Sequence, residues 1–173
     1  MGMHIIIDGY NLVRQSKELR RIDRADIARG REALIDTLAA YRRLKPHRIT
    51  VVFDGAGAPA LSPARDRWNG VGIVFSRGGE TADAVIARMA RQDPATALVV
   101  SSDLAVVRSA QACGAAVIES LEFEARMALA AALEAGDPSE EASPRRRVST
   151  RKKGEGRRPP KRLRQNRLRT AKL

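Results

Sequence analysis

The segment His4-Ile5-Ile6-Ile7-Asp8-Gly9 decides the fold class of this 173-residue chain. Three consecutive isoleucines, followed directly by a carboxylate and a glycine, form an apolar run without alternation. Such a run is typical of a parallel β-strand that is covered by helices on both faces. Because ligands of open α/β sheets bind at the carboxyl ends of the strands, Asp8 stands where a functional group is expected.

Working outward from this segment, four further runs of β-branched and aliphatic residues predict strands at residues 49–54, 71–75, 97–101 and 115–118. Apolar residues at helical spacing predict a helix that begins near Ile27 and ends before Pro46, with Ile27 on its apolar face. Further helices are predicted at residues 82–90, 104–112 and 121–135. This alternation predicts an α/β fold with a doubly wound, mostly parallel sheet. The segment 55–70 is predicted to be a long loop.

Charge divides the chain into two unequal parts. The whole chain carries 32 Lys or Arg residues against 20 Asp or Glu residues, a net charge of +12. Residues 144–173 hold 14 of these basic residues and one acid, Glu155, which gives +13 and leaves the first 143 residues at about −1. So basic a segment with so few apolar residues is predicted to be disordered when free. The predicted organisation is a globular domain over residues 1–136, a linker over 137–144 and a basic tail over 145–173.

Several classes of protein are excluded by composition. One cysteine and two histidines build neither a disulfide framework nor a zinc cluster of the usual spacing. The longest apolar stretches fall short of the roughly 20 residues that cross a bilayer, and the N-terminus lacks a signal-peptide core. The first strand is not followed by a Gly-x-Gly-x-x-Gly turn, and no Walker loop is present. We therefore expect a cytoplasmic protein with no membrane association and no organic cofactor.

Acidic residues follow the predicted strands at the positions where chemistry is expected. Asp8 ends the first strand, Asp103 follows the fourth, and Glu80 and Asp83 open the helix that precedes the fourth. If the first strand lies beside the fourth, these carboxylates converge. Two carboxylates about 4 Å apart repel by roughly 4 kcal/mol at an effective dielectric constant near 20, so a cluster of four needs cations. Hard oxygen ligands favour Mg²⁺ or Mn²⁺, which indicates a metal site for phosphate chemistry.

Each of these residues also has a simpler interpretation. A carboxylate in the first turn of a helix caps backbone amides and stabilises the helix dipole, so Glu80, Asp83 and Asp103 could do only that. Capping does not require acids at the ends of two neighbouring strands, however, and the joint pattern therefore favours a site. Asp54 is interpreted as the start of a turn with Gly55.

Four motifs together resemble one family of nucleases. The sequences Ile-Asp-Gly-Tyr-Asn (residues 7–11), Val-Val-Phe-Asp-Gly (51–55), Glu-Thr-Ala-Asp (80–83) and Ser-Ser-Asp (101–103) resemble the YacP-like NYN domain family of the PIN-like nucleases. The resemblance covers about residues 3–135. It implies a three-layer, PIN-like (Rossmannoid) domain with sheet order 3-2-1-4-5, and a ribonuclease that depends on a divalent metal ion.

The resemblance also implies roles for individual residues. Asp8, Asp83 and Asp103 would be the catalytic, metal-binding acids, and Glu80 would assist them. The resemblance also places Asn11 near the substrate, and Thr81, Ser101 and Ser102, which adjoin the acidic positions, are further residues expected to bind the substrate. Some members of the family are endoribonucleases that act on messenger RNA at the ribosome. The hypothesis is therefore an Mg²⁺- or Mn²⁺-dependent endoribonuclease whose partners are RNA and, as a candidate, the ribosome.

The basic tail is predicted to attach the protein to RNA by contacts to the phosphate backbone. The residues expected to make these contacts are Arg145, Arg146, Arg147, Arg151, Lys152, Lys153, Arg157 and Arg158. Three alternatives remain open at this point. The chain could be a non-catalytic RNA- or ribosome-binding protein with the same fold, or it could act on DNA or small nucleotides. The tail could also be merely a solubilising extension.

Overall fold

A six-stranded sheet forms the centre of the structure. The computed structural model describes residues 2–55, 65–135 and 161–173, the last of these without the side chains of 161–165. The strands are β1 (His4–Asp8), β2 (Arg48–Phe53), β3 (Arg65–Trp68), β4 (Val71–Phe75), β5 (Ala97–Val100) and β6 (Ala116–Ile118). They lie in the order β3-β4-β2-β1-β5-β6, and every neighbouring pair is parallel except β3 and β4. The order predicted for the five expected strands is confirmed.

The strand β3 corrects the prediction of a long loop over residues 55–70. Arg65–Trp68 pairs antiparallel with β4, and the two strands are joined at Asn69 and Gly70. Both joining residues have positive φ angles, of 48° and 85°, which is the backbone that an Asn-Gly hairpin turn requires. All four residues of β3 are exposed, so no alternation of apolar and polar residues marks the strand. Residues 56–64 lie outside the described part of the chain.

Seven helices are described. They are α1 (Gly9–Gln15), α2 (Lys17–Ala25), α3 (Ile27–Leu44), α4 (Ala82–Gln92), α5 (Leu104–Ala112), α6 (Ser120–Ala135) and α7 (Lys161–Thr170). The helices α3 to α6 confirm the predicted ones. The helices α1 and α2 are additional, and α2 escaped prediction because Leu19 is its only buried residue. None of the described helices is long and apolar enough to span a bilayer.

The helices pack on both faces of the sheet and give the fold its three layers. Ile5 and Ile7 of β1 join a core cluster with residues of α1, α3 and α6. Ile6 points to the opposite face and joins a second cluster with residues of α4 and α5. All three isoleucines are fully buried, and each buried side chain of this size contributes about 1.5–3 kcal/mol. The central strand is thereby fixed between two cores, with Asp8 at its carboxyl end.

The end of the chain corrects the prediction of a wholly disordered tail. Residues 161–170 form α7, which packs beside β6. The side-chain amide of Asn166 donates to the carbonyl of Val117 (3.1 Å) and accepts from its N–H (2.8 Å). Leu173 is buried, and its carbonyl accepts from the hydroxyl of Tyr41 (3.1 Å). Composition could not reveal this docking, because it depends on partners in the body of the protein.

The remainder of the predicted tail cannot be compared with the structure in the same way. The linker over 137–144 and the eight basic residues from Arg145 to Arg158 lie outside the described residues. Within the part that is described, Asn166 pairs with the outer edge of β6 as a neighbouring strand would. This pairing covers a sheet edge that would otherwise be open to association with other strands.

We predict that Asn166→Ala lowers the free energy of unfolding, measured by urea denaturation, by about 1–2 kcal/mol. The substitution removes both hydrogen bonds to Val117 and leaves two backbone groups of β6 without their partner. The matched control is Leu168→Ala on the same helix, because that side chain is 67% exposed. Equal effects of the two substitutions would show that the Asn166 bonds do not hold α7 in place.

Candidate active site

A cleft opens at the carboxyl ends of β1 and β5. The chain leaves β1 toward helices on one face of the sheet and leaves β5 toward α5 on the other, which makes this the topological switch point. The cleft has a volume of about 630 Å³. Its lining residues are Asp8, Tyr10, Asn11, Arg14, Gln15, Ile27, Asp54, Ala82, Asp83 and Asp103. We call it the acidic cleft, because four of these residues are aspartates.

Gly9 allows the chain to leave β1 directly beside the cleft. A Cβ atom at this position would lie 2.6 Å from Cδ1 of Phe53 and 2.9 Å from Cγ2 of Val51. Both neighbours are fully buried on β2 and have little room to move. The glycine that follows Asp8 is therefore required by the close approach of β2, and it lets α1 begin immediately after the carboxylate.

Asp8 is a buried carboxylate at the floor of the cleft. It is 9% exposed and accepts hydrogen bonds from the Asn11 N–H (3.3 Å) and the Ser101 hydroxyl (3.1 Å). Burial raises the pKa of Asp8 above its ordinary value, and the charges of Asp83 and Asp103 raise it further, while the two hydrogen bonds oppose the shift. Asp8 is thus held in a position where its negative charge is costly.

Asp83 and Asp54 belong to the same electrostatic cluster. Asp83 lies in the first turn of α4, and burial raises the pKa of its carboxyl. The charges of Asp103 and Asp54 raise that pKa further. Asp54, which the sequence analysis interprets as the start of a turn, lines the cleft with the other three aspartates. The structure therefore brings Asp8, Asp83 and Asp103 together as expected and adds Asp54 to them.

Ser101 connects two of the acidic positions. Its fully buried hydroxyl donates to Oδ2 of Asp8 and accepts from the N–H of Asp103 (3.1 Å). Oδ1 of Asp103 accepts from the N–H groups of Ala105 (2.7 Å) and Val106 (3.4 Å), so Asp103 caps α5. Asp103 therefore caps a helix and also lines the cleft. Asp8 does the same, since its bond from the Asn11 N–H caps α1.

Three residues expected near the substrate have structural partners within the protein. The side-chain oxygen of Asn11 accepts from the N–H of Ser102 (2.9 Å) and the hydroxyl of Ser120 (2.8 Å). The hydroxyl of Ser102 accepts from the N–H of Ser120 (3.2 Å). Thr81 caps α4 by accepting from the N–H of Ala84 (3.2 Å). Asn11 and Ser102 therefore join the segment after β5 to the start of α6.

Glu80 is not brought into the acidic cleft. Its carboxylate forms an ion pair with Arg88, two turns along on α4. It is absent from the residues that line the cleft. The sequence predicted that Glu80 converges with the other carboxylates. Glu80 instead precedes the N-cap Thr81 and so lies outside the helix that carries Asp83.

The donor set of the cleft fits a hydrated Mg²⁺ or Mn²⁺ ion. Among the described residues, no three His, Cys, Asp or Glu side chains form a ready metal-binding group. Mg²⁺ usually keeps several waters and binds through one or two carboxylates, so it does not need such a cage. Asp8, Asp83 and Asp103 stay the residues predicted to hold such an ion, one or two of them directly and the rest through its waters. Mg²⁺ and Mn²⁺ prefer carboxylate oxygens as ligands, whereas zinc and copper prefer imidazole nitrogen and sulfur.

Comparison with known proteins shows the family of this chain. The YacP-like NYN domain family matches residues 5–168 of the chain. This chain belongs to the YacP-like NYN domain family. The match continues past residue 135 into α7, so the family domain extends beyond the range suggested by the four motifs.

Bacillus subtilis has a protein that is similar to this YacP-like NYN domain in sequence and in structure. The uncharacterized protein YacP of strain 168 is 28% identical over 87 residues, which are 50% of this chain and 51% of that protein. The alignment thus spans about half the length of this curated relative. The crystal structure of Rae1 (YacP) superposes with a TM-score of 0.66 at 24% identity and 79% coverage of each chain. The crystal structure of a tryptophan-to-leucine mutant of Rae1 superposes with a TM-score of 0.62 at 25% identity. That superposition covers 76% of this chain and 77% of the mutant. These likenesses confirm the PIN-like fold.

The lining of the cleft in this NYN domain includes residues that sequence reasoning missed. The hydroxyl of Tyr10 accepts from Arg31 (2.9 Å), and the guanidinium carbon of Arg14 lies 5.7 Å from the centroid of the Tyr10 ring. The spacing of four residues between Tyr10 and Arg14 was a usable signal once α1 was known. Ile27 was predicted to face the core, which is wrong, because it is 46% exposed and lines the cleft.

We predict that Asp8→Asn raises the free energy of unfolding at neutral pH when a chelator removes divalent ions. The raised pKa of Asp8 means that its ionised form destabilises the native state relative to the unfolded chain. That cost is present at neutral pH and disappears as pH falls below the ordinary carboxyl pKa of 3.8, where both states are protonated. The Ser101 hydroxyl can turn to accept from the new amide, which preserves the local bonds.

Urea denaturation of the two proteins across this pH range checks the prediction, and Asp36→Asn on the exposed side of α3 is the matched control. The gain from Asp8→Asn should shrink steadily with falling pH, and the control should show no comparable change. A metal-free Asp8→Asn protein that is less stable than the parent at neutral pH would contradict the electrostatic interpretation of this site.

Proposed function

We propose that this chain is a metal-dependent endoribonuclease that hydrolyses RNA phosphodiester bonds in the acidic cleft. The observation that carries the proposal is the convergence of Asp8, Asp54, Asp83 and Asp103 at the switch point of a YacP-like NYN domain. The pKa of Asp8 and of Asp83 is raised partly by neighbouring carboxylates, so these groups repel one another. A cluster of this kind favours binding of a divalent cation.

The protein supplies a fixed frame for the reaction. Asp8 is held by Asn11 and Ser101, and Asp103 by the first turn of α5, while Asp83 lies in the first turn of α4. Three elements that are far apart in sequence therefore carry the carboxylates, and two of these carboxylates are held in place before substrate binds. When bound, a divalent ion would lower the pKa of a water molecule and neutralise charge on the leaving oxygen.

Hydrolysis at this site forms a bond from a water oxygen to phosphorus and breaks the bond from phosphorus to the 3′ oxygen. The expected products are one RNA fragment with a 5′-phosphate and one with a 3′-hydroxyl. The attacking water loses one proton to solvent through the open cleft, and the departing 3′ oxygen takes up one proton from solvent to become the hydroxyl. Family membership is what favours RNA over DNA, since charge alone does not distinguish the two polyanions.

The partners in this proposal are RNA and, as a candidate, the ribosome, in the cytoplasm. Cleavage of purified messenger RNA compared with cleavage on translating ribosomes, at matched Mg²⁺, tests whether the ribosome is required. Faster cleavage on translating ribosomes supports the ribosome as a partner. Equal rates on both substrates would remove the ribosome from the proposal and leave RNA as the substrate.

We predict that Asp8→Asn and Asp103→Asn each lower cleavage of a labelled RNA in Mg²⁺ or Mn²⁺ by about 100-fold or more. Outer-shell partners of a metal already contribute about 10- to 100-fold to activity, so a residue that holds the ion directly should contribute at least as much. Asp36→Asn, on the exposed side of α3, is the matched control and should cleave like the parent. Circular dichroism verifies that each variant is folded.

The outcomes separate the proposal from its main alternative. Undiminished metal-dependent cleavage by Asp8→Asn would refute the assignment of the cleft. If the parent protein binds RNA but cleaves none with either ion, a non-catalytic RNA-binding function replaces the proposed one. Addition of a chelator should abolish cleavage by the parent, and cleavage that survives the chelator would contradict the metal dependence.

We predict that neutral replacement of the eight basic residues between Arg145 and Arg158 weakens RNA binding and flattens its dependence on salt. Each lost contact to single-stranded RNA should reduce the slope of log affinity against log salt by about 0.7. Replacement is preferable to truncation after Ser143, because truncation would also remove α7 from its site on β6. An unchanged slope would show that the segment is only a solubilising extension.

A further inference from the structure

Part of the lining of the acidic cleft is not acidic. The helix α1 contributes Tyr10, Arg14 and Gln15, and the start of α3 contributes Ile27. We call these four residues the α1–α3 wall. Among the described residues that line the cleft, Arg14 carries the one positive charge. None of the four motifs that resemble the family assigns a role to Arg14 or Ile27.

Arg14 has the surroundings of an anion-binding group. It is exposed, and it forms no ion pair with any described carboxylate, although four aspartates line the same cleft. A phosphate that enters beside these aspartates is repelled by them, and a guanidinium on the wall offsets that repulsion. The planar guanidinium can also bind a phosphate with two parallel N–H bonds.

Tyr10 supports Arg14 in this position. The guanidinium carbon lies 5.7 Å from the centroid of the Tyr10 ring, so the side chain rests over an aromatic face. Tyr10 is itself held by the bond from Arg31 to its hydroxyl and by edge contact with Phe53, whose ring centroid is 5.1 Å away. Contact with the ring leaves the N–H groups at the edge of the guanidinium available to a ligand.

Ile27 adds an apolar surface to the same wall. It is 46% exposed at the first position of α3. A single exposed isoleucine is ordinary on a protein surface and indicates nothing by itself. Within a cleft that also presents an unpaired guanidinium, it provides the apolar contact that a nucleobase needs. Unpaired bases stack on arginine guanidinium planes, and bases extruded into enzyme pockets stack between aromatic or apolar side chains.

We propose that the α1–α3 wall is a nucleotide subsite for unpaired RNA, in which Arg14 binds a phosphate flanking the scissile one and Ile27 contacts the adjoining base. The cleft volume of about 630 Å³ suits a single extruded nucleotide, since pockets for small ligands range over about 300–1,000 Å³. The identification of the flanking phosphate rests on the proposed function, which places the scissile phosphate at the aspartates.

The test compares two arginines by fluorescence anisotropy with a labelled, unpaired oligoribonucleotide in Mg²⁺. The full chain carries Asp8→Asn in every case, so that the RNA is not cut. Arg14→Ala should weaken binding about tenfold, as expected for loss of a charge-assisted contact, and should reduce the salt slope by about 0.7. Arg91→Ala is the matched control, because Arg91 is exposed in the last turn of α4, away from the cleft.

Two further variants distinguish binding from a structural role of Arg14 at the end of α1. Arg14→Lys should keep the salt slope, because it keeps the charge. Ile27→Ser should weaken binding of the unpaired RNA without changing the slope. A fully paired duplex of the same sequence should bind the Arg14→Ala protein and its parent equally, and melting temperatures verify that all variants are folded.

The proposal is overturned if Arg14→Ala matches Arg91→Ala in affinity and salt slope, or if it loses as much affinity for the duplex as for the unpaired RNA. Steady-state cleavage by proteins that retain Asp8 separates this result from the proposed function. Arg14→Ala should raise KM about tenfold and leave kcat within about twofold. If cleavage depends on the aspartates but Arg14→Ala changes neither binding nor KM, the subsite is rejected and the nuclease function stands. If Arg14→Ala weakens RNA binding but no variant cleaves RNA, the RNA-binding subsite stands and the nuclease function is rejected.

Discussion

The repulsion among four aspartates at the end of the central strand is the constraint on which the rest of the structure depends. Asp8 is buried at the carboxyl end of β1, and its raised pKa shows that its negative charge is unfavourable there. Asp83 and Asp103 line the same cleft and raise the pKa of Asp8 further, and Asp54, which also lines it, raises the pKa of Asp83. A fold can keep such an arrangement only if the surrounding elements are stable enough to offset it.

The three layers provide that stability. The isoleucines of β1 are fully buried in two separate cores, so the strand that carries Asp8 is fixed from both faces. Hydrogen bonds then set the directions of the acidic side chains. The Ser101 hydroxyl joins Asp8 to the backbone of Asp103, and Asn11 joins the segment after β5 to the start of α6. The cleft is therefore built from a rigid scaffold and polar links between elements distant in sequence.

The same scaffold explains why the end of the chain belongs to the domain. Asn166 pairs with the outer edge of β6, and Leu173 is buried against the body. Because β6 adjoins β5, the helix α7 closes the side of the sheet nearest the segment that carries Ser101 and Asp103. The last thirty residues, which composition marks as one basic tail, thus contain a helix that belongs to the domain.

The sequence by itself determined the five strands of a mostly parallel sheet and helices α3 to α6. The resemblance of its motifs to the NYN family implied the strand order, which places the ends of the strands that carry Asp8 and Asp103 side by side. Apolar runs and helical periodicity are local signals, and strand ends must meet at one edge of a parallel sheet. Only the tertiary structure decided the direction of Glu80 toward Arg88, the exposure of Ile27, the antiparallel β3 and the docking of α7. The antiparallel β3 and the docked α7 depend on partners in other elements. The direction of Glu80 and the exposure of Ile27 depend on how the ends of α4 and α3 pack in the fold, which periodicity along one element does not encode.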